Sequence, residues 1–222
     1  MSKAAISGYR EKIIDISHQI HAHPEVGHEE HKASALLAGE LDSAGLLVHL
    51  GVCELPTAFT GTAGSGDLHL ALCAEYDALP GIGNACGHNM IAAAAVGAAL
   101  ALAPLADDLR LRLTVIGMPA EEVLERGGKV LLLEGGAFDG VHAAMVIHPA
   151  PFELATPALI AATKFEVEFQ GRESHAAAAP ELGVNAADAA VVAQVALGLL
   201  RQQLPGEARM HGVFDTTDWW PT

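Results

Sequence analysis

A chain of 222 residues, half of them hydrophobic, is long enough for one domain or a domain and a part, with a sizeable core. Twelve Lys and Arg against 27 Asp and Glu leave a formal charge of −15, which excludes the basic footprint that a nucleic acid or an anionic membrane surface needs. Three cysteines, Cys53, Cys73 and Cys86, give no disulfide framework, and the N-terminus lacks the apolar block of a signal peptide, so the expected location is a reducing cytoplasm.

In chain order, Ile6, Tyr9, Ile13, Ile16 and Ile20 recur at spacings of three and four and predict a helix over 3–20, ended by His21-Ala-His-Pro-Glu25. A second helix is expected over 29–44, with Gly45 just past its end. Strand-like runs follow at 46–52 and 57–63, and Gly61, Gly64 and Gly66 mark a hairpin-like turn before a buried strand, Leu68 to Ala74. The segment Glu75-Tyr-Asp-Ala-Leu-Pro-Gly-Ile-Gly-Asn-Ala-Cys-Gly-His-Asn89 then turns through Pro80, Gly81 and Gly83 and delivers Asp77, Cys86 and His88 into one loop. The uncharged run from Met90 to Ala106 is Ala-rich and only mildly hydrophobic, so a buried helix over 90–103 is expected, not a membrane span. A strand over Leu109 to Met118 leads into Pro119-Ala-Glu-Glu122. A helix over 127–135 and a strand over 141–147, closed by His148-Pro149, complete the pattern. Strands alternating with helices argue an α/β sheet covered by helices.

The composition changes near 156. Leu159 to Gln170 alternates as a long strand, Gly171-Arg-Glu-Ser-His175 is a loop, and Asn185 can cap a helix running to about Leu204. Met210 to Phe214 is short and strand-like. Two domains are therefore expected, 1–156 and a smaller one of β-α-β character over 157–222.

Three strands thus end in groups able to hold or activate a metal: Asp77 after the first, Glu121 and Glu122 after the second, His148 after the third. Sites in open α/β sheets form outside the carboxyl ends of the strands, so parallel strands would bring these groups to one edge. Cys86, His88, one of the paired glutamates and His148 make a mixed S, N and O ligand set that suits Zn²⁺, with Mn²⁺ or Co²⁺ as alternatives. A helix N-terminus behind Cys86 favours its thiolate. The other glutamate is then available to take a proton from water that the metal activates. His21, His23, His28 and His31 flank a helix end and a Gly turn, and are expected to form no common site. A cysteine hydrolase using Cys86 with His88 is a weaker reading, because it leaves Glu121, Glu122 and His148 idle.

Asp77-Ala-Leu-Pro80, Ala85-Cys-Gly-His88, Pro119-Ala-Glu-Glu122, Ile147-His-Pro149 and Gly171-Arg-x-Ser-His-Ala176, preceded by His21-Ala-His-Pro-Glu25, together resemble the M-twenty metallopeptidases, a family of aminoacylases, carboxypeptidases and amidohydrolases. The resemblance is nearest to the branch of Xaa-Arg or β-alanyl dipeptidases and aminobenzoyl-glutamate hydrolases. It implies a catalytic domain with a mixed, mostly parallel sheet, followed by part of a small α+β lid and dimerisation domain. It implies two divalent metal ions held by Cys86, His88, Glu122 and His148, with Glu121 as general base and Asp77 orienting the site. It further implies that His175 and Asn185 contact substrate, a dipeptide or N-acyl amino acid, and that the chain forms a homodimer through the lid. Asn84 stands where relatives often have His. The tail Asp215-Thr-Thr-Asp-Trp-Trp-Pro-Thr222 departs from the family pattern, and members run considerably longer. The chain is therefore expected to be C-terminally truncated, with an inactive remnant that binds metal or a partner subunit as the alternative to a hydrolase.

Overall fold

A computed structural model describes residues 6–159 and 161–215. The first residues of the expected N-terminal helix and the tail 216–222, with both tryptophans, lie outside the described residues.

Helix α1 spans Arg10–Ala22 and buries Ile16 and Ile20. It stops where the residue before Pro24 is biased out of helical geometry. Helix α2, His31–Ser43, buries Ala33, Leu37, Ala38 and Leu41. The Glu25 carboxylate accepts from Lys32 N at 2.9 Å and Ala33 N at 2.9 Å, satisfying amides in the first turn of α2 that have no partner within the helix.

Five strands follow: β1 Leu47–Leu50, β2 Phe59–Ala63, β3 Leu68–Glu75, β4 Leu111–Met118 and β5 Ala143–Met145. They form one mixed sheet in the order β1-β2-β4-β3-β5. β1 with β2 and β2 with β4 are antiparallel, whereas β3 runs parallel to both β4 and β5. Parallel neighbours need crossovers, which helices α3, His88–Leu102, and α4, Gly128–Glu134, supply.

Period-two alternation divides the core between the faces. Leu72 and Ala74 of β3 pack with Leu113 and Val115 of β4 under α1, α2 and α3. Ala71 and Cys73 pack with Ile116, Met118 and Leu132 of α4 on the other face. The stretch His88–Leu105 is long and apolar enough to cross a membrane by length and composition, but most of it is buried in this core. Gly97 of α3 lets Ile13 of α1 approach: a Cβ there would lie 2.4 Å from Ile13 Cδ1.

The chain divides into two compact units, Met1–Lys164 and Phe165–Thr222, where the sequence had suggested a change at 156–157. The second unit carries helix α5, Ala186–Leu200, a 3-10 turn at Pro180–Leu182 and an isolated bridge between Arg172 and Val184.

Four expectations are corrected. Gly61, Gly64 and Gly66 do not make a hairpin, because β4 inserts between β2 and β3. Gly66 instead lets two backbones meet, since a Cβ there would lie 1.8 Å from the Arg110 carbonyl oxygen. The alternating run Leu159 to Gln170 and the run Met210 to Phe214 are not strands among the described residues. Alternation prepares one face for burial, but a strand also needs a ladder partner, and the described residues of neither run belong to a strand ladder. The expected strand over 141–147 is ladder-paired only at Ala143–Met145.

Candidate metal centre

The carboxyl ends of β3, β4 and β5 place Asp77, Glu121, Glu122 and His148 around the start of α3, where His88 is the first helical residue. Gly87 precedes it in the left-handed region at φ 80°, and a Cβ there would lie 2.5 Å from Pro149 Cγ. Glycine at this point lets the Cys86–His88 turn sit directly against the His148-Pro149 segment.

His88 is buried, and its two nitrogens have different surroundings. Nδ1 lies 2.9 Å from both the Asp77 carboxylate and the Asp77 carbonyl oxygen. Donation there places the proton on Nδ1 and leaves the Nε2 lone pair open, the arrangement a metal-binding histidine uses. Nε2 faces Glu75 Oε2 at 3.7 Å, Glu121 Oε2 at 3.7 Å and Glu122 Oε1 at 3.8 Å. The His148 ring meets the His88 ring edge-on with centroids 6.2 Å apart. His148 Nδ1 lies 2.9 Å from the Pro149 carbonyl oxygen, which directs the proton to that nitrogen too.

The Glu122 backbone N–H donates to Asp77 Oδ2 at 3.0 Å, so Asp77 joins the His88 helix to the loop after β4. That loop is braced from behind by Glu30, which is fully buried. Glu30 Oε1 accepts from Ala120 N at 2.7 Å and His28 N at 2.9 Å, and Oε2 from the Thr57 hydroxyl at 2.9 Å. Ala120 needs this support because its φ of 54° lies in the left-handed region, uncommon for a residue with a side chain. From α4, the Lys129 ammonium reaches Glu75 Oε1 at 2.5 Å and Glu121 Oε1 at 3.0 Å.

The charges in this cluster set one another. Burial alone raises the Asp77 carboxyl, but the His88 hydrogen bond and the Glu122 N–H outweigh it and hold the group below its ordinary value. Burial lowers His88, and Asp77, Glu75 and Glu121 outweigh that to raise it. Lys129 is likewise raised by Glu75 and Glu121 against the effect of burial. Cys86 departs from expectation. Its interaction with the Glu122 carboxylate, then burial, then the charges of Glu122, Glu121 and Asp77 push the thiol up to about 11. The protein's own groups therefore favour the thiol, and the start of α3 does not overcome them. A divalent cation among the same groups would reverse that balance and favour the thiolate.

Two groups among the described residues bring ligand atoms close enough for a metal ion: Glu75, His88 and His148, and His88, Glu121 and Glu122. His21, His23, His28 and His31 belong to neither. His88 Nε2 and Glu75 Oε2 are buried without a hydrogen-bond partner, and each faces the other. A buried imidazole nitrogen of this kind needs a partner, and a divalent cation at His88 Nε2 fits both that orphaned atom and the excess of carboxylates around it. Sequence reasoning missed Glu75, Lys129 and Glu30. Glu75 could have been found, because it ends a strand beside Asp77; Lys129 and Glu30 enter only through tertiary contacts.

His175 and Asn185 lie in the second unit. His175 Nδ1 accepts from Ala177 N and Ala178 N, both at 3.2 Å, and the residue lines an open hollow of about 590 Å³ with Glu173, Ser174, Ala176 and Ala177. Asn185 caps α5 through Ala187 N at 3.1 Å and donates to Asp188 at 2.9 Å.

Comparison with known proteins places these residues in a family context. Residues 71–213 match the peptidase family M20/M25/M40. The chain is 39% identical over 220 residues to an Xaa-Arg dipeptidase of Mus musculus, covering 91% of this chain and 50% of that protein. It is 34% identical over 227 residues to one subunit of the p-aminobenzoyl-glutamate hydrolase of Escherichia coli K12, covering 93% of this chain and 47% of that one. The Bacillus subtilis YXEP protein, described as a dinuclear metal binding peptidase, superposes on 65% of this chain and 44% of its own with a TM-score of 0.60 and 27% identity. The chain spans about half the length of the curated relatives it matches.

Proposed function

The chain belongs to peptidase family M20/M25/M40, and from that premise we propose that it hydrolyses an amide bond in a dipeptide or N-acyl amino acid with Glu121 as general base. The observation that carries this is the buried, unpartnered Nε2 of His88 facing three carboxylates at 3.7–3.8 Å. The relatives' names support the substrate class, since an Xaa-Arg dipeptide and an aminobenzoyl-glutamate each contain an amide next to a carboxylate.

Cys86, His88, Glu122 and His148 would hold two divalent ions, zinc first, with manganese or cobalt as alternatives. Bound there, such ions would supply Lewis-acid polarisation of the amide carbonyl and of the attacking water. The chain's own residues do the rest. Asp77 fixes the His88 ring and its tautomer through Nδ1. Glu121 Oε2, on the His88 side of that carboxylate, takes the proton of the attacking water. As the C–N bond breaks, Glu121 returns the proton to the departing amine nitrogen, leaving a carboxylate product. His175 and Asn185 remain candidate substrate contacts, and a cytoplasmic homodimer remains the expected setting. In this structure Asn185's side chain is already engaged in capping α5.

Glu121→Gln is expected to lower turnover of dipeptide substrates by at least ~10²-fold while metal content, measured by elemental analysis, stays unchanged. Loss of metal with turnover would reverse the roles of Glu121 and Glu122. A metal-loaded wild-type chain without turnover would favour metal binding without hydrolysis, a reading consistent with a second unit that has no sheet among its described residues.

A further inference from the structure

The three carboxylates around His88 Nε2 are not equivalent. Glu75 and Glu121 each give one oxygen to the Lys129 ammonium, at 2.5 and 3.0 Å, and turn the other towards His88 Nε2 at 3.7 Å. Glu122 has no such tie to Lys129, and its Oε1 faces His88 Nε2 at 3.8 Å. Geometry alone would allow Glu75 and Glu121 to join a metal's donor set with His88. An ammonium on the opposite oxygen of each opposes this in two ways. It fixes the rotamer, and it withdraws negative charge from the coordinating side.

The approach of Lys129 is itself built into the fold. It follows Gly127 and Gly128 at the start of α4. A Cβ on Gly128 would lie 1.9 Å from the Pro119 carbonyl oxygen, and one on Gly127 would lie 2.9 Å from the Val123 carbonyl oxygen. Gly128 N also donates to the Ala120 carbonyl at 3.2 Å. The glycine pair thus brings the turn of Lys129 against the loop that carries Glu121 and Glu122.

We infer that Lys129 is a positioning residue that sorts the carboxylates of the site, withholding Glu75 and Glu121 from metal coordination so that Glu122 ligates and Glu121 stays available as base. The inference rests on the metal-dependent reading above, and it concerns a lysine that supplies neither ligand nor base. It explains how two adjacent glutamates of identical chemistry acquire different tasks.

The test is Co²⁺ titration of the full chain, read by visible absorption and equilibrium dialysis, for wild type, Lys129→Met and Lys129→Arg. In Lys129→Met, freed carboxylates enter coordination. The Co²⁺ Kd is expected to fall about ten-fold, and the visible bands to weaken as the coordination number rises. Lys129→Arg, which keeps the charge and can bridge both carboxylates, is expected to restore the wild-type spectrum. Adding Glu75→Gln to Lys129→Met should return part of the lost band intensity. Lys129→Gln replaces the Met variant if far-UV circular dichroism shows that one unfolded. A Lys129→Met spectrum and Kd matching wild type overturn the inference while leaving the metal site intact, as does weaker Co²⁺ binding by a folded variant. A wild-type chain that binds no Co²⁺ overturns the metal reading and this inference with it.

Discussion

Glu30 shows how a residue outside the reacting groups decides their placement. Its carboxylate is fully buried and accepts three hydrogen bonds, including the one from the strained Ala120. Burial raises its pKa, and the hydrogen bonds from Ala120, Thr57 and His28 offset this only in part. A carboxyl raised in the folded state contributes stability that is present below its unfolded pKa and is lost as pH rises through the folded value. At neutral pH the charge is therefore a net cost of its position. Glu30→Gln keeps an oxygen for the two backbone amides and can donate to Thr57. It is expected to hold or slightly raise stability at pH 7, with its advantage over wild type shrinking as the pH falls towards the ordinary carboxyl range. Glu30→Ala leaves the amides of Ala120 and His28 without a buried acceptor and is expected to cost ~2–4 kcal/mol. Urea unfolding of both variants at two pH values checks the pair. A flat pH difference for Glu30→Gln would contradict the burial argument.

The site is assembled by the order of the elements. β3, β4 and β5 run parallel, so Asp77, the Glu121-Glu122 pair and His148 all emerge beyond the same sheet edge. The start of α3 then returns His88 to that edge within thirteen residues of the end of β3. The start of α4 does the same for Lys129, and here the glycines are decisive. Gly128→Ala would drive a methyl into the Pro119 carbonyl and must displace either α4 or the Glu121-Glu122 loop. It is expected to destabilise the chain by ~1–3 kcal/mol and to change the visible spectrum of bound Co²⁺. A stable variant with an unaltered spectrum would show that the loop yields without disturbing the site.

For the whole molecule, a cation at this centre would tie together the β3–α3 loop, the β4–α4 loop and the segment after β5. Anything that binds the folded state alone stabilises it, by about 2.7 kcal/mol when free metal is a hundred times Kd. Chelation is therefore expected to lower Tm, and readdition of Zn²⁺ or Mn²⁺ to restore it, by scanning calorimetry. A Tm indifferent to both would argue that the centre contributes no metal-dependent stability.

Much of this was legible without coordinates. The helix and strand succession of Met1–Lys164 follows from apolar periodicity and from Gly and Pro at the breaks, because those signals are local. The clustering of His88, Glu121, Glu122 and His148 was legible because each stands just beyond a strand or before a helix. The insertion of β4 between β2 and β3 was not legible, because strand order depends on which faces bury one another, not on adjacency along the chain. The run Leu159 to Gln170 shows the converse: alternation prepared a strand, but the partner that makes one is a property of the tertiary structure. The sequence by itself therefore determined the elements, the edge where the chemistry gathers and most of the groups found there. Only the tertiary structure decided that Lys129 ties down Glu75 and Glu121 and that Glu30 braces Ala120, because contacts over 8 to 90 positions of chain leave no periodic trace in it.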